Sequence, residues 1–200
     1  MPEPATEHSM RLANGAVCHA LSVDDFHKLG EIGVLRDDDR VELIEGVLID
    51  MAPIGSGHAS VVNRFTNRLA AALSGHAIVS TQNPVILGAS SEVQPDVALL
   101  RHRDDFYANA HPTPSDVLLV IEVADTSLPF DRNVKVPLYA RHGIPEVWLV
   151  TLRQRRIEVF RRPTGTGYGE TLLPAETEAL APLLLPEVSV SGTDLWRWQP

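Results

Sequence analysis

The sequence predicts an α/β (α+β) fold: a mixed β-sheet flanked by helices, with a β-hairpin near the N-terminus. Three observations carry this reading. Short apolar runs of strand length dominate the chain. Two longer stretches with helical spacing lie between those runs. No internal repeat, low-complexity segment or composition break marks a second domain.

The elements follow in order. Ser22-Val-Asp-Asp25 resembles a capping box, with Asp for the usual Glu, before a short helix to about Leu29. Val41–Ile44 and Val47–Met51 are strand candidates joined at Glu45-Gly46, a two-residue hairpin turn. From His58 to Leu73, the residues Val61, Val62, Phe65, Leu69, Ala72 and Leu73 recur at helical spacing, and Gly75 ends that helix. Ala77–Thr81, Pro84–Leu87 and Asp96–Leu100 are further strands, and RHRDDFYANAHPTPSD is a polar loop. Val117–Val123 is a strand, followed by a helix from about Asp131 to His142 that Gly143 closes. Pro137 is awkward inside that helix unless it lies in the first turn, which places the regular part from about Asn133. Glu146–Val150 and Arg156–Phe160 complete the strands, and the remainder reads as loops and short edge strands. Residues 1–20 read as a partly disordered tail, and 21–200 as a single domain.

Two hundred residues, 44% hydrophobic and 22% charged, describe a globular chain able to bury a core without staples. No apolar run approaches the roughly 18 residues of a membrane helix. The N-terminus lacks the basic and apolar regions of a secretory signal. The single cysteine, Cys18, forbids an intrachain disulfide and a multi-cysteine zinc site. A cytoplasmic location is the simplest expectation. The net charge of −9 argues against non-specific gripping of nucleic acid. It leaves room for a nucleic-acid enzyme, since metal-binding carboxylates add negative charge. Arg153, Arg155, Arg156, Arg161 and Arg162 form either a local basic patch or a solvated strand edge.

Glu45, Asp96 and Glu122 each sit at the edge of an apolar run. Strand alternation puts Glu122 on a face with Leu118, Val120 and Ala124. A carboxylate there must be paired, protonated or bound to a cation. Two or three converging carboxylates suit Mg²⁺ or Mn²⁺. Asp131, Lys135 and Tyr139, spaced i, i+4, i+8, share a helix face. Lys135 either serves the acids or forms a surface ion pair with Asp131.

Pro95-Asp96 followed by Glu122 in an apolar strand resembles the PD-(D/E)xK nuclease superfamily. More specifically, VELIEG, GHASVVNRF, QPDVALL and VIEVADTSLPFDRNVKVPLYARHGIPEVWLV resemble the Uma family of "putative restriction endonucleases", over about residues 23–161. The resemblance implies a restriction-endonuclease-like fold and metal-dependent hydrolysis of phosphodiester bonds, in DNA as the first expectation. It implies Asp96 and Glu122 as ligands of Mg²⁺ or Mn²⁺, and Glu45 as an additional acid. The superfamily lysine normally lies two residues past the glutamate. That position is Ala124 here, and in the Uma pattern Lys135 on the next helix replaces it. The Val123 carbonyl is a plausible further ligand. A homodimer is expected, since such nucleases often pair to cut two strands. The other readings are a non-catalytic binding protein on the same scaffold and a phosphodiesterase acting on RNA or a small nucleotide.

Supporting residues keep two readings each. His58 contacts phosphate or the carboxylates, or simply begins its helix. Gln94 hydrogen-bonds substrate or makes a turn contact. Asp131 orients Lys135 or caps the helix. Tyr139 packs, with its hydroxyl available to the acids. Trp148 is assigned to the core, Glu146 to structure and Asp125 to a turn. The eight histidines show no HExxH or HxH spacing, GTGYG matches no phosphate-binding fingerprint, and no Gly-x-Ser-x-Gly elbow is present.

Overall fold

The computed structural model describes residues 9–11, 15–36 and 38–196. Within the tail, β1 (Ser9–Arg11) and β2 (Val17–His19) pair antiparallel. A ribbon thus occupies part of the segment expected to be partly disordered. Residues 1–8 lie outside the described residues.

α1 (Val23–Glu31) begins at a complete capping box. Ser22 Oγ accepts from the Asp25 N–H, and Asp25 Oδ2 accepts from the Ser22 N–H, both at 3.1 Å. β3 (Val41–Ile44) and β4 (Val47–Asp50) form the expected hairpin. Its turn residues Glu45 and Gly46 have φ of 49° and 80°, as a tight hairpin of this kind requires. The chain before α1 packs over that turn, so a Cβ on Gly46 would lie 2.5 Å from the Ala20 Cβ. Gly46→Ala therefore adds left-handed strain to a steric clash. It is expected to lower stability by at least ~1 kcal/mol, read as a lower urea midpoint with unchanged slope.

α2 (Ser56–Leu73), β5 (Ala77–Thr81), β6 (Val85–Ile86), β7 (Glu92–Val93), β8 (Val97–Arg101) and β9 (Val117–Ala124) follow. A helical stretch comes next: α3 (Leu128–Phe130), a π-helical segment Asp131–Lys135, and α4 (Val136–Arg141). The chain then forms β10 (Glu146–Thr151), β11 (Arg156–Pro163), β12 (Tyr168–Leu172), β13 (Ala179–Leu180), β14 (Val190–Ser191) and α5 (Gly192–Leu195). The glycine-rich GTGYG segment is the turn between β11 and β12. There Thr164 Oγ1 donates to the Gly167 carbonyl at 2.7 Å.

The main sheet is mixed, in the order β12-β11-β10-β9-β8-β5, with β9 and β10 parallel. The hairpin β3–β4 grows into a second sheet, β4-β3-β7-β6. α2 covers one face of the main sheet, packing Val61, Phe65, Leu69 and Leu73 with Leu119, Ile121 and Trp148. Each such fully buried side chain contributes ~1.5–3 kcal/mol. The other face packs Val120, Ala124, Val147 and Leu149 against Leu138 and Tyr139 of α4 and Ile44 and Val93 of the small sheet. Trp148 is core, as expected. Glu146 is buried away from the cavity described below, where Arg161, the Trp148 indole and the Leu183 N–H satisfy it.

Two details depart from simple periodicity. Leu99 pairs with Leu119, but Leu100 pairs with Val117, which leaves Leu118 as an extra residue in β9. That bulge turns Leu118 into the α2-side core instead of the face carrying Glu122. The helix also starts earlier than expected, at Leu128. Proline at position 137 has no N–H to give and crowds the preceding turn. The chain relieves this with one wide turn, in which the Val136 N–H reaches the Asp131 carbonyl, and Pro137 then lies in the first turn of α4. Asp131 and Lys135 are both buried in that wide turn.

Candidate active site

β8 and β9 run antiparallel with Val97 opposite Ile121. Asp96 immediately precedes β8 and Glu122 follows Ile121 in β9, so both carboxyl groups come to the same cavity. Asp96 is held from three sides. Its Oδ2 accepts from the Val123 N–H at 2.8 Å and lies 2.9 Å from His58 Nε2, while Oδ1 accepts from Gln82 Nε2 at 3.2 Å. Burial raises the cost of its charge. His58 and the Val123 N–H more than offset that and hold Asp96 below the usual carboxylate range.

Glu122 is 3% exposed. Its Oε1 accepts from the Tyr139 hydroxyl at 2.5 Å and lies 2.8 Å from Lys135 Nζ. Lys135 Nζ also donates to Glu42 Oε1 at 3.0 Å, and the same oxygen accepts from the Gln94 N–H at 2.7 Å. The ammonium is thus clamped between acids from two different sheets. Burial works against its charge, but Glu122, Glu42 and Asp131 hold its pKa above the ordinary lysine value.

Burial pushes Glu122 up to about 8. The Lys135 ammonium pulls it down, and Asp96, Asp131 and Glu42 add to the rise. Burial likewise raises Asp131, whose carboxylate bonds Ser127, and lifts the Tyr139 hydroxyl well above its usual value. Glu42, Asp96, Glu122 and Asp131 are thus four buried carboxyl groups with one lysine ammonium among them, and in their ionised forms they carry charge that a divalent cation would balance.

The fit to Mg²⁺ or Mn²⁺ rests on that charge and on hard oxygen donors. Glu122, Asp96 and Val123 line one cavity of about 610 Å³. Among the described residues, Asp96 and Glu122 are not part of a set of three His, Cys, Asp or Glu ligand atoms within 4.8 Å of one another. Such an arrangement suits a cation that takes one or two carboxylates and keeps waters.

Asp96, Glu122, Val123, Lys135, His58, Gln94 and Asp131 line this cavity, and Tyr139 stands behind Glu122, but Glu45 is not among them. That residue is at the hairpin tip, where Arg141 Nη2 binds its Oε1 at 2.8 Å and solvent reaches it. Glu42, three residues earlier within β3, takes the place expected for Glu45. Lys135 is no surface ion pair with Asp131. Gln82 was not anticipated from sequence, and its φ of 52° marks a tight turn that no apolar pattern signals.

The arginine cluster is largely neutralised. Arg153 lies 2.7 Å from Asp125, Arg161 2.7 Å from Glu146, Arg155 3.6 Å from Glu176, and Arg162 3.7 Å from Glu170. Arg40 and Arg153 stand on the cavity rim. Among the described residues, no helix is long and apolar enough to cross a membrane.

A family model for Uma2, described as "Putative restriction endonuclease", matches residues 23–193. No curated protein sequence matches. Among solved structures, a putative nuclease belonging to DUF820 from Anabaena variabilis ATCC 29413 superposes with a TM-score of 0.71. It is 17% identical, and the match covers 89% of this chain and 98% of that one.

Proposed function

The chain belongs to the Uma2 family of "putative restriction endonucleases", and from that premise we propose that it hydrolyses phosphodiester bonds in DNA with the help of Mg²⁺ or Mn²⁺. The observation that carries the reading is the buried Lys135 ammonium between Glu42 and Glu122, with Asp96 and Glu122 on the same cavity.

Asp96 and Glu122 hold the cation, with the Val123 carbonyl as a further oxygen donor. When bound, the ion orients a water, lowers its pKa and neutralises charge on the phosphate. Lys135 brings a fixed positive charge to the developing charge on phosphate. Glu42 and Tyr139 position Lys135 and Glu122. His58 and Gln82 position Asp96. The His58 Nδ1 is buried without a hydrogen-bond partner, which leaves that ring nitrogen available to a group entering the cavity. α2 begins at the cavity with Gly55 as its cap and no acid in its first turn. Its free N–H groups favour an anionic substrate. One such site cuts one strand at a time, and a pair of chains would cut both strands together.

The test is plasmid cleavage with Mg²⁺ or Mn²⁺ against an EDTA control. Cleavage that persists in EDTA rejects the metal, and no cleavage of DNA or RNA with either ion favours a non-catalytic scaffold.

A pH dependence follows from Glu122. With its pKa near 8, the carboxyl is protonated at neutral pH until a cation displaces the proton. Mn²⁺ affinity is expected to rise ~10-fold per pH unit from pH 6 to 8 and then flatten. Calorimetry across that range checks it. The same slope in Glu122→Gln would assign the proton to another group.

A further inference from the structure

We propose that His27, Glu92 and His111 form a second metal site, made of residues other than Asp96 and Glu122 and suited to a transition ion of the Zn²⁺ class. Their donor atoms, two imidazole nitrogens and a carboxylate oxygen, lie within 4.8 Å of one another. They come from α1, β7 and the loop between β8 and β9, so no spacing motif announces them.

The geometry is that of a built site. Glu92 is buried, and His27 Nε2 lies 2.6 Å from its Oε2. The two imidazole rings have centroids 6.1 Å apart at 63°. Backbone hydrogen bonds fix each segment independently. The Val23 N–H at the start of α1 donates to the Ala89 carbonyl at 2.8 Å, and the Ile86 N–H donates to the Pro112 carbonyl, next to His111, at 3.0 Å. Leu43 of β3 pairs with Glu92 itself. The ligands are therefore carried on backbone that is already in place.

Donor chemistry selects the ion. Imidazole favours Zn²⁺ and its transition-metal neighbours, whereas oxygen-only sites favour Mg²⁺ and Mn²⁺. Two histidines and one carboxylate are a recurrent three-ligand zinc set that leaves a fourth position for water. Both histidines line a cavity of about 390 Å³ in which that water fits, and the Asp39 carboxylate also lines it. A bound ion would tie α1 and the β8–β9 loop to β7. The strand segment so braced continues to Gln94, whose N–H holds Glu42. The proposal does not rest on the nuclease reading.

The experiment uses the full chain, stripped of metal, in millimolar Mg²⁺, with Zn²⁺ as titrant and Co²⁺ as the spectroscopic reporter. Wild type and Glu122→Gln are expected to bind one Zn²⁺ per chain and to give the visible absorption of tetrahedral Co²⁺. His27→Ala and His111→Ala should each weaken Zn²⁺ by more than ~100-fold, beyond what loss of an outer-shell contact causes. Thermal unfolding in EDTA reports whether the variants fold. His111 is an exposed loop residue, so its variant keeps the test open if His27→Ala does not fold. Zinc binding that survives both substitutions, that disappears in Glu122→Gln, or that is absent from wild type overturns the proposal. Mg²⁺-dependent cleavage is read separately, so failure here and failure of the nuclease reading are distinguishable.

Discussion

Asp96→Asn and Glu122→Gln each lower divalent-ion-dependent plasmid cleavage by about 10²- to 10³-fold or more, while the chain stays folded. Both changes remove charge and preserve shape. An amide at position 96 can still accept from the Val123 N–H, the contact that fixes this side chain at the end of β8. An amide at 122 can still accept from Tyr139 and Lys135 through its carbonyl oxygen. A loss of cleavage with retained circular dichroism therefore reports the missing negative charge and not a collapsed site. The control is Glu45→Gln. Its carboxylate is at the hairpin tip on Arg141, so cleavage stays near wild type. Equal losses at 45 and 122 would return Glu45 to the site and remove the geometric basis for choosing Glu42.

The choice between Glu45 and Glu42 shows how far the sequence could be read. The Glu45-Gly46 turn was legible, and a turn residue of a tight hairpin points away from both strands. The resemblance nevertheless implied Glu45 as the additional acid. Glu42 lies mid-strand in VELI, where every residue is buried because the small sheet packs against the main one. Strand alternation assumes one wet face, so it gave no sign of that second layer. Asp96 and Glu122 were visible as two acids at the ends of apolar runs. The lysine position needed Pro137 to be taken as a reason for a wide helical turn. The bulge at Leu118 is set by strand register, which depends on partners far away in the chain. His27, Glu92 and His111 were illegible for the same reason: 65 residues separate the first two, and only tertiary contacts bring them together.

Lys135→Met is expected to cost about 3–5 kcal/mol in the metal-free chain, the largest stability effect of any single change at the site. The side chain is 3% exposed, and its ammonium is the shared partner of Glu42 and Glu122. Methionine fills the volume, so the loss is electrostatic: Glu42 loses its ammonium partner, and Glu122 can ionise only at a still higher pH. The sign with pH follows from Glu122. Its pKa in the folded chain is raised above the unfolded value of ~4.3 to about 8. Protonation of Glu122 therefore favours the folded state, fully below pH ~4.3, and that contribution is lost as pH rises toward 8. Without the ammonium that pulls this pKa down, the raised window extends further upward. The stability gap between Lys135→Met and wild type should thus stay nearly constant from pH 5 to 7 and widen above pH 8, as urea unfolding at pH 6 and pH 9 would measure. Lys135→Met/Glu122→Gln should recover part of the loss at pH 9, because the carboxyl that the ammonium helped to ionise is gone. Mg²⁺ should recover part of it by supplying the missing positive charge through Asp96 and Glu122. A stability gap no larger at pH 9 than at pH 6 would mean that Glu122 does not depend on this ammonium, and the electrostatic account of the site would fail with it.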